Sequence, residues 1–220
     1  WPSRWTLDGL DQKRKEIGSV AFDSEFMNNP IDAESQIIKP TAWYEGDVDP
    51  RQHQFFCFID PAISEKETAD YFAMVTAARD LQTGKIKMVD PVRFRGGIEK
   101  QIDRVLAYYQ KWHHQVVGIE VVAYQKALAQ ILLSIGQKSN IYMPIQEVEV
   151  DRDKVRKAKA ILPFIENGTV LFNAAHQDYI TELIQFPKGM HDDWVDATVG
   201  AIQLAIQNTQ TSVVMSGRAK

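Results

Sequence analysis

Phe55-Phe56-Cys57-Phe58-Ile59-Asp60-Pro61 constrains this chain more than any other stretch. Five apolar residues in a row are too few for a core helix and enough for a strand, so the run reads as a strand buried on both faces. Such a strand needs a neighbour on each edge and cover on each face, which calls for a sheet flanked by helices. The run delivers one carboxylate, Asp60, and stops at Pro61, which has no amide proton to extend a ladder. Two later segments repeat the gesture. Val116-Val117-Gly118-Ile119-Glu120 is a second buried-strand run ending in an acid, and His191-Asp192-Asp193-Trp194-Val195-Asp196 sets acids at the start of an apolar helix.

The remaining periodicity places these three segments in an α/β order. Residues 1–50 are rich in proline, glycine and polar residues. They read as a linker or arm with a short helix over Arg14–Met27, packed on the body through Trp43 and Tyr44. Residues 51–208 form the main domain. Ala69–Ala78 and Lys85–Phe94, joined at Leu81–Gly84, read as a hairpin beside the first strand, giving an antiparallel meander. Helical spacing over Ile98–Trp112 precedes the strand Val116–Val122, and a helix over Gln125–Ile135 ends near Gly136. A strand at Ile141–Val148, a helix over Asp153–Asn167 stopped by Gly168, and a short strand at Val170–Phe172 follow. Helices over Tyr179–Phe186 and Asp193–Gln207 come last, and residues 209–220 read as a polar, frayed tail. The expected fold is a mixed sheet, antiparallel on one side and parallel on the other, with helices on both faces. Sites in such sheets gather at the carboxyl ends of strands, where Asp60 and Glu120 lie.

Composition narrows the function. The chain has 220 residues, 45% of them hydrophobic, enough for one good core. A net charge of −4 argues against a purely DNA-binding module, which would carry a basic face, but not against a nuclease whose acids are neutralised by metal. The single cysteine, Cys57, rules out an internal disulfide and a cysteine zinc site, and it reads as a buried small hydrophobe. No run approaches the roughly 18 apolar residues of a membrane span. With no secretory signal in view, the expected setting is cytosolic, with no membrane partner. His113-His114 reads as an exposed helix end and not as a ligand pair.

The chain resembles the nuclease domain of the large terminase subunit of tailed double-stranded DNA bacteriophages, within the RNase H-like superfamily. The resemblance rests on FIDPA (Phe58–Ala62), ADYFAMV (Ala69–Val75), GIEVVAYQ (Gly118–Gln125), a basic helix followed by FIENGTVLF (Phe164–Phe172), and HDDWVDA (His191–Ala197). FDSEFMNNPID (Phe22–Asp32) resembles the segment that links the family's ATPase motor to its nuclease. No single motif is specific; their order and spacing together are. The resemblance implies an RNase H-like mixed sheet and metal-dependent endonucleolytic cleavage of concatemeric viral DNA. It further implies an ATPase domain in the same full-length polypeptide, partnership with the portal protein and small terminase subunit, and work in the cytoplasm of the infected cell at the procapsid. No GxxxxGK[ST] phosphate loop occurs, so the motor is absent from this chain.

Phosphodiester hydrolysis needs a nucleophilic water and a stabilised leaving oxygen, and two divalent cations about 3.5–4 Å apart supply both. Magnesium and manganese prefer hard oxygen ligands. Asp60 is therefore expected to bridge two ions and Glu120 to hold one. A residue of the DDxxDA stretch completes the set: Asp193 first, Asp196 second, Asp192 third. Asp193 and Asp196, three residues apart, share a helical side. The blander reading makes Asp192 and Asp193 helix caps. For double-stranded DNA, Lys154, Arg156 and Lys157 on the basic helix, with Arg93 and Arg95 at a strand end, are expected to meet phosphates without reading sequence. The competing readings are another RNase H-like nuclease, such as a junction resolvase or transposase core, and a non-catalytic docking domain of the packaging motor.

Overall fold

The structure is a computed structural model that describes residues 5–17, 25–26, 36–61, 71–121, 125–138, 141–149 and 153–208. Its elements are α1 (Leu7–Ile17), β1 (His53–Asp60), β2 (Phe72–Asp80), β3 (Ile86–Phe94), α2 (Ile98–Trp112), β4 (Val116–Val121), α3 (Gln125–Lys138), β5 (Ile145–Glu149), α4 (Lys154–Glu166), β6 (Val170–Leu171), α5 (Gln177–Gln185) and α6 (Asp193–Gln207). The six strands lie in the order β5-β4-β1-β2-β3-β6. β1, β2 and β3 pair antiparallel, while β4 on β1, β5 on β4 and β6 on β3 pair parallel. This is the mixed RNase H-like sheet expected from the sequence.

Strand pleating sorts the core into two layers. Phe56 and Phe58 of β1, with Ala73, Val75 and Ala77 of β2, face α4, α5 and α6. Cys57 and Ile59, with Phe72 and Met74, face α2 and α3 on the other side. The sheet thus carries helices on both faces, and its central strand is buried on both, as its unbroken apolar run requires.

Several elements begin or end elsewhere than the sequence suggests. The first helix starts at Leu7 and not Arg14, because the Gly9 amide donates to Thr6 Oγ1 at 3.1 Å and caps it. The later part of the expected helix, residues 18–24 and Met27, lies outside the described residues, as do Ala69 and Asp70 and the tail 209–220. α3 runs past Gly136 to Lys138. That glycine is not a terminator. It is buried where the chain returns, and a Cβ there would meet the Ile141 carbonyl oxygen at 2.6 Å. β5 begins at Ile145 and not Ile141, after Pro144, whose carbonyl accepts from the Val117 amide at 2.9 Å. His114 is buried and not exposed. Its Nε2 lies 3.0 Å from Thr76 Oγ1, and burial lowers its pKa to about 3. Of the arm, residues 42–44 run along β6: the Phe172 amide donates to Ala42, the Tyr44 amide to Phe172, and Tyr44 Oη to the Met88 carbonyl.

Candidate metal and nucleic-acid site

Three elements bring the acids together. The parallel register sets Phe58 beside Gly118 and Ile59 beside Ile119, so one step farther along come Asp60 and Glu120 on adjacent strands. Both side chains alternate onto the face covered by α6, the face of Phe58. α6 lies along β1 and β2 on that face. Phe58 sits directly beneath Gly200, where a Cβ would meet its ring at 2.3 Å, so only a glycine lets the helix come this close. The first turn of α6, with Asp193 and Asp196, then reaches over the end of β1.

The electrostatics record that proximity. The Asp60 carboxyl titrates well above the usual carboxylate range, through burial first and then through the charges of Asp196, Glu120 and Asp193. Asp193, itself buried, is also raised, mainly by desolvation and against the pull of Arg93. Glu120 and Asp196 are buried as well.

α4 brings the counter-charge. Asp153 caps it, accepting from the Arg156 amide at 2.9 Å, and fixes the direction of the first turn. Lys154 and Lys157, three residues apart, then point into the acids while Arg156 points outward and is exposed. Lys154 Nζ is 2.8 Å from Asp192 and 2.8 Å from Asp196. Lys157 Nζ is 3.2 Å from Glu120 and 3.5 Å from Asp196. Burial alone would lower both ammonium pKa values, but the neighbouring carboxylates outweigh it and raise them. Asp192 sits at the N-cap of α6 without making a side-chain cap bond; Lys154 takes its carboxylate instead.

The cap of α6 comes from a residue that the sequence reading passed over. Glu182 of α5 accepts the Trp194 amide at 2.7 Å and pairs with Arg93. Burial pushes its pKa up to about 7, despite Arg93 and the amide. Arg93 packs on the rings of Trp194 and Tyr71, 4.2 and 4.5 Å from their centroids, and Arg95 stacks on the same tyrosine at 4.0 Å. Arg93 therefore ties β3 to α5 and α6 beside the acids. An acid flanked by Tyr179 and Leu183 on the buried side of an amphipathic helix was the available signal for Glu182. Glu182→Ala is expected to cost about 2–3 kcal/mol, because it orphans a buried amide and a guanidinium together. Urea denaturation checks this, and Glu182→Gln should recover part of the loss.

Among the described residues, no three Asp, Glu, His or Cys side chains stand close enough together to ligate one ion. The donors still fit magnesium or manganese in kind, because every nearby acid offers only oxygen. They are spread around two ammonium groups.

The sequence profile of the Terminase RNaseH-like domain family matches residues 58–205. The chain belongs to this family. Solved structures show the same fold. The large terminase nuclease of thermophilic phage G20c, with bound zinc, is 20% identical with a TM-score of 0.53, over 76% of this chain and 94% of that one. The human cytomegalovirus terminase nuclease domain is 12% identical with a TM-score of 0.51, over 69% and 82%. The large terminase of another thermophilic bacteriophage is 8% identical with a TM-score of 0.54, over 89% of this chain but half, 50%, of its own length. Comparison with curated proteins finds no significant match. Among the described residues, no helix is long and apolar enough to cross a membrane.

Proposed function

We propose that this terminase-family domain is a metal-dependent endonuclease that cuts double-stranded DNA. Its two divalent cations, Mg2+ or Mn2+, would be held by Asp60, Glu120, Asp193 and Asp196. The observation that carries the reading is that acids from an adjacent strand end and one helix start, Glu120, Asp193 and Asp196, all lie near enough to the buried Asp60 carboxyl to raise it. The G20c nuclease has been solved with zinc, cobalt and magnesium, which supports a cation site in this fold. Bound there, the cations would supply the activated water and the charge at the leaving oxygen. Asp60, from the central strand, lies between the Glu120 side and the α6 side and is the natural shared ligand. Family membership favours this reading over a resolvase or transposase core. In the full-length protein the domain would work beside an ATPase domain, with the portal protein and small subunit as partners. There it would cleave concatemers at the procapsid in the cytoplasm of the infected cell.

Plasmid nicking across Mg2+, Mn2+, Ca2+ and chelator tests the assignment. Cutting is expected in the first two and none in chelator. Glu120→Gln, Asp193→Asn and Asp196→Asn should be impaired, and Asp192→Asn, half-exposed and paired with Lys154, the least. Robust cutting in chelator would end the metal reading.

Arg95 stacks on Tyr71, and Arg156 is exposed on α4. Replacing both with alanine is expected to weaken binding of unrelated duplexes equally. The slope of log affinity against log salt should shrink by about 0.9 for each lost phosphate contact. An unchanged slope would remove them from the DNA interface.

A further inference from the structure

We propose that Lys154 and Lys157 are internal counter-ions that hold the acid cluster closed to divalent cations until DNA phosphates draw them away. Metal and DNA would then load the site cooperatively. The proposal rests on the metal-site reading above.

Each ammonium bridges two acids. Lys154 joins Asp192 to Asp196, and Lys157 joins Asp196 to Glu120 across the gap between α6 and β4. A cation shared by those carboxylates would need the space these nitrogens fill, at shorter distances of about 2.0–2.1 Å for magnesium. With the lysines in place, Asp196 and Glu120 are occupied by ammonium groups. Metal entry therefore requires at least one ammonium to leave, and charge repulsion between ammonium and metal acts in the same direction.

A released lysine stays anchored on the first turn of α4, at the rim of the acid cluster. Bound duplex places an array of phosphates near that rim, and a phosphate is a good partner for a displaced ammonium. DNA that engages the lysines lowers the barrier to metal, and by linkage metal that expels them raises affinity for DNA by the same factor. The same two side chains would thus shut the empty site and grip substrate in the loaded one. Arg156, on the same turn but exposed and aimed outward, does not share this position.

Mn2+ binding to the 220-residue chain, followed by the electron paramagnetic resonance signal of the free ion, tests the proposal without any cleavage readout. Lys154→Met with Lys157→Met is expected to bind Mn2+ roughly tenfold tighter or more, because two competing charges are gone. Lys154→Arg with Lys157→Arg keeps the charges and should stay near wild type. Calorimetry with Ca2+, with and without a short blunt duplex, reads the coupling. Duplex should tighten Ca2+ binding to the wild type by several-fold and do so far less in the methionine variant. If that variant is unfolded by circular dichroism, single Lys154→Gln at the more exposed position is held to the same criterion. A folded lysine variant that binds Mn2+ no tighter than wild type overturns the counter-ion role. Asp60→Asn separates the two ideas. If Asp60→Asn loses Mn2+ binding while the lysine variants match wild type, only the counter-ion role fails; if it binds Mn2+ as wild type does, the metal site fails with it.

Discussion

Asp60→Asn is expected to abolish nicking, by roughly 10³-fold or more, while leaving a better-folded protein in metal-free buffer. The loss follows from the proposed reading, in which Asp60 would be the ligand common to both cation positions and their charge stabilisation would be worth several kcal/mol, each 1.36 kcal/mol being tenfold in rate. The gain follows from the sign of the Asp60 shift. Its carboxyl is raised in the folded chain by burial and by Asp196, Glu120 and Asp193. The folded state thus holds this proton more tightly than the unfolded state does. Stability is lost as pH rises from the ordinary carboxylate range through the folded pKa, and it returns on acidification. Asparagine removes that cost at neutral pH. Thermal melts in chelator should show the variant above wild type, with Tm moving about 2–4 °C for each kcal/mol in a chain of this size. Added Mn2+ should reverse the order, because only the wild type gains from ligand binding. Wild-type nicking by purified Asp60→Asn protein would remove Asp60 from the site.

Gly200→Val carries the largest expected effect on stability, above about 3 kcal/mol. A Cβ at this position would sit 2.3 Å from the Phe58 ring, and Phe58 is itself wedged against Gly118, where a Cβ would stand 2.8 Å from the same ring. The buried ring is held between Gly118 and Gly200, so the helix must lift from β1, and branching at Cβ adds a rotamer penalty. Lifting α6 also carries Asp193 and Asp196 away from Asp60. The variant should lose Mn2+ affinity along with stability, whereas Gly46→Ala, on an exposed turn with open space around it, should show only the strain of its positive φ. Urea unfolding of both variants decides it. A Gly200→Val midpoint within experimental error of wild type would mean that α6 does not depend on this contact.

The parts of this architecture that depend on short-range pattern were legible in the chain. The run Phe55–Ile59 announced a doubly buried strand, and the acids that ended it and the β4 run fell on adjacent strands. The boundaries of α2 and α6 followed from apolar spacing alone. What could not be read were meetings between distant segments. Lys154 and Lys157 were read as DNA-phosphate contacts because nothing local reveals that α4 points its first turn into the acids. Glu182 drew no reading because its partner, Arg93, lies eighty-nine residues earlier. His114 passed as an exposed helix end for the same reason, since Thr76 lies on another strand. Gly136 was misread as a stop because close approach of the returning chain and a left-handed cap call for the same residue.

The position of α6 has a consequence for how the protein is made. It follows every other described element in the chain, yet it lies on the central strands β1 and β2. A ribosome that has completed the three-stranded meander has made Asp60, but not the strand that bears Glu120 or the helix that bears Asp193 and Asp196. Contacts so distant in sequence form late. The acids around Asp60 are therefore brought together by the same docking event that closes the core, and on the proposed reading a nascent or prematurely ended chain would lack the cation site. We expect fragments that end before Asp193 to bind no more Mn2+ than the urea-unfolded chain; a truncated fragment with native-like affinity would show that the site forms without its final helix.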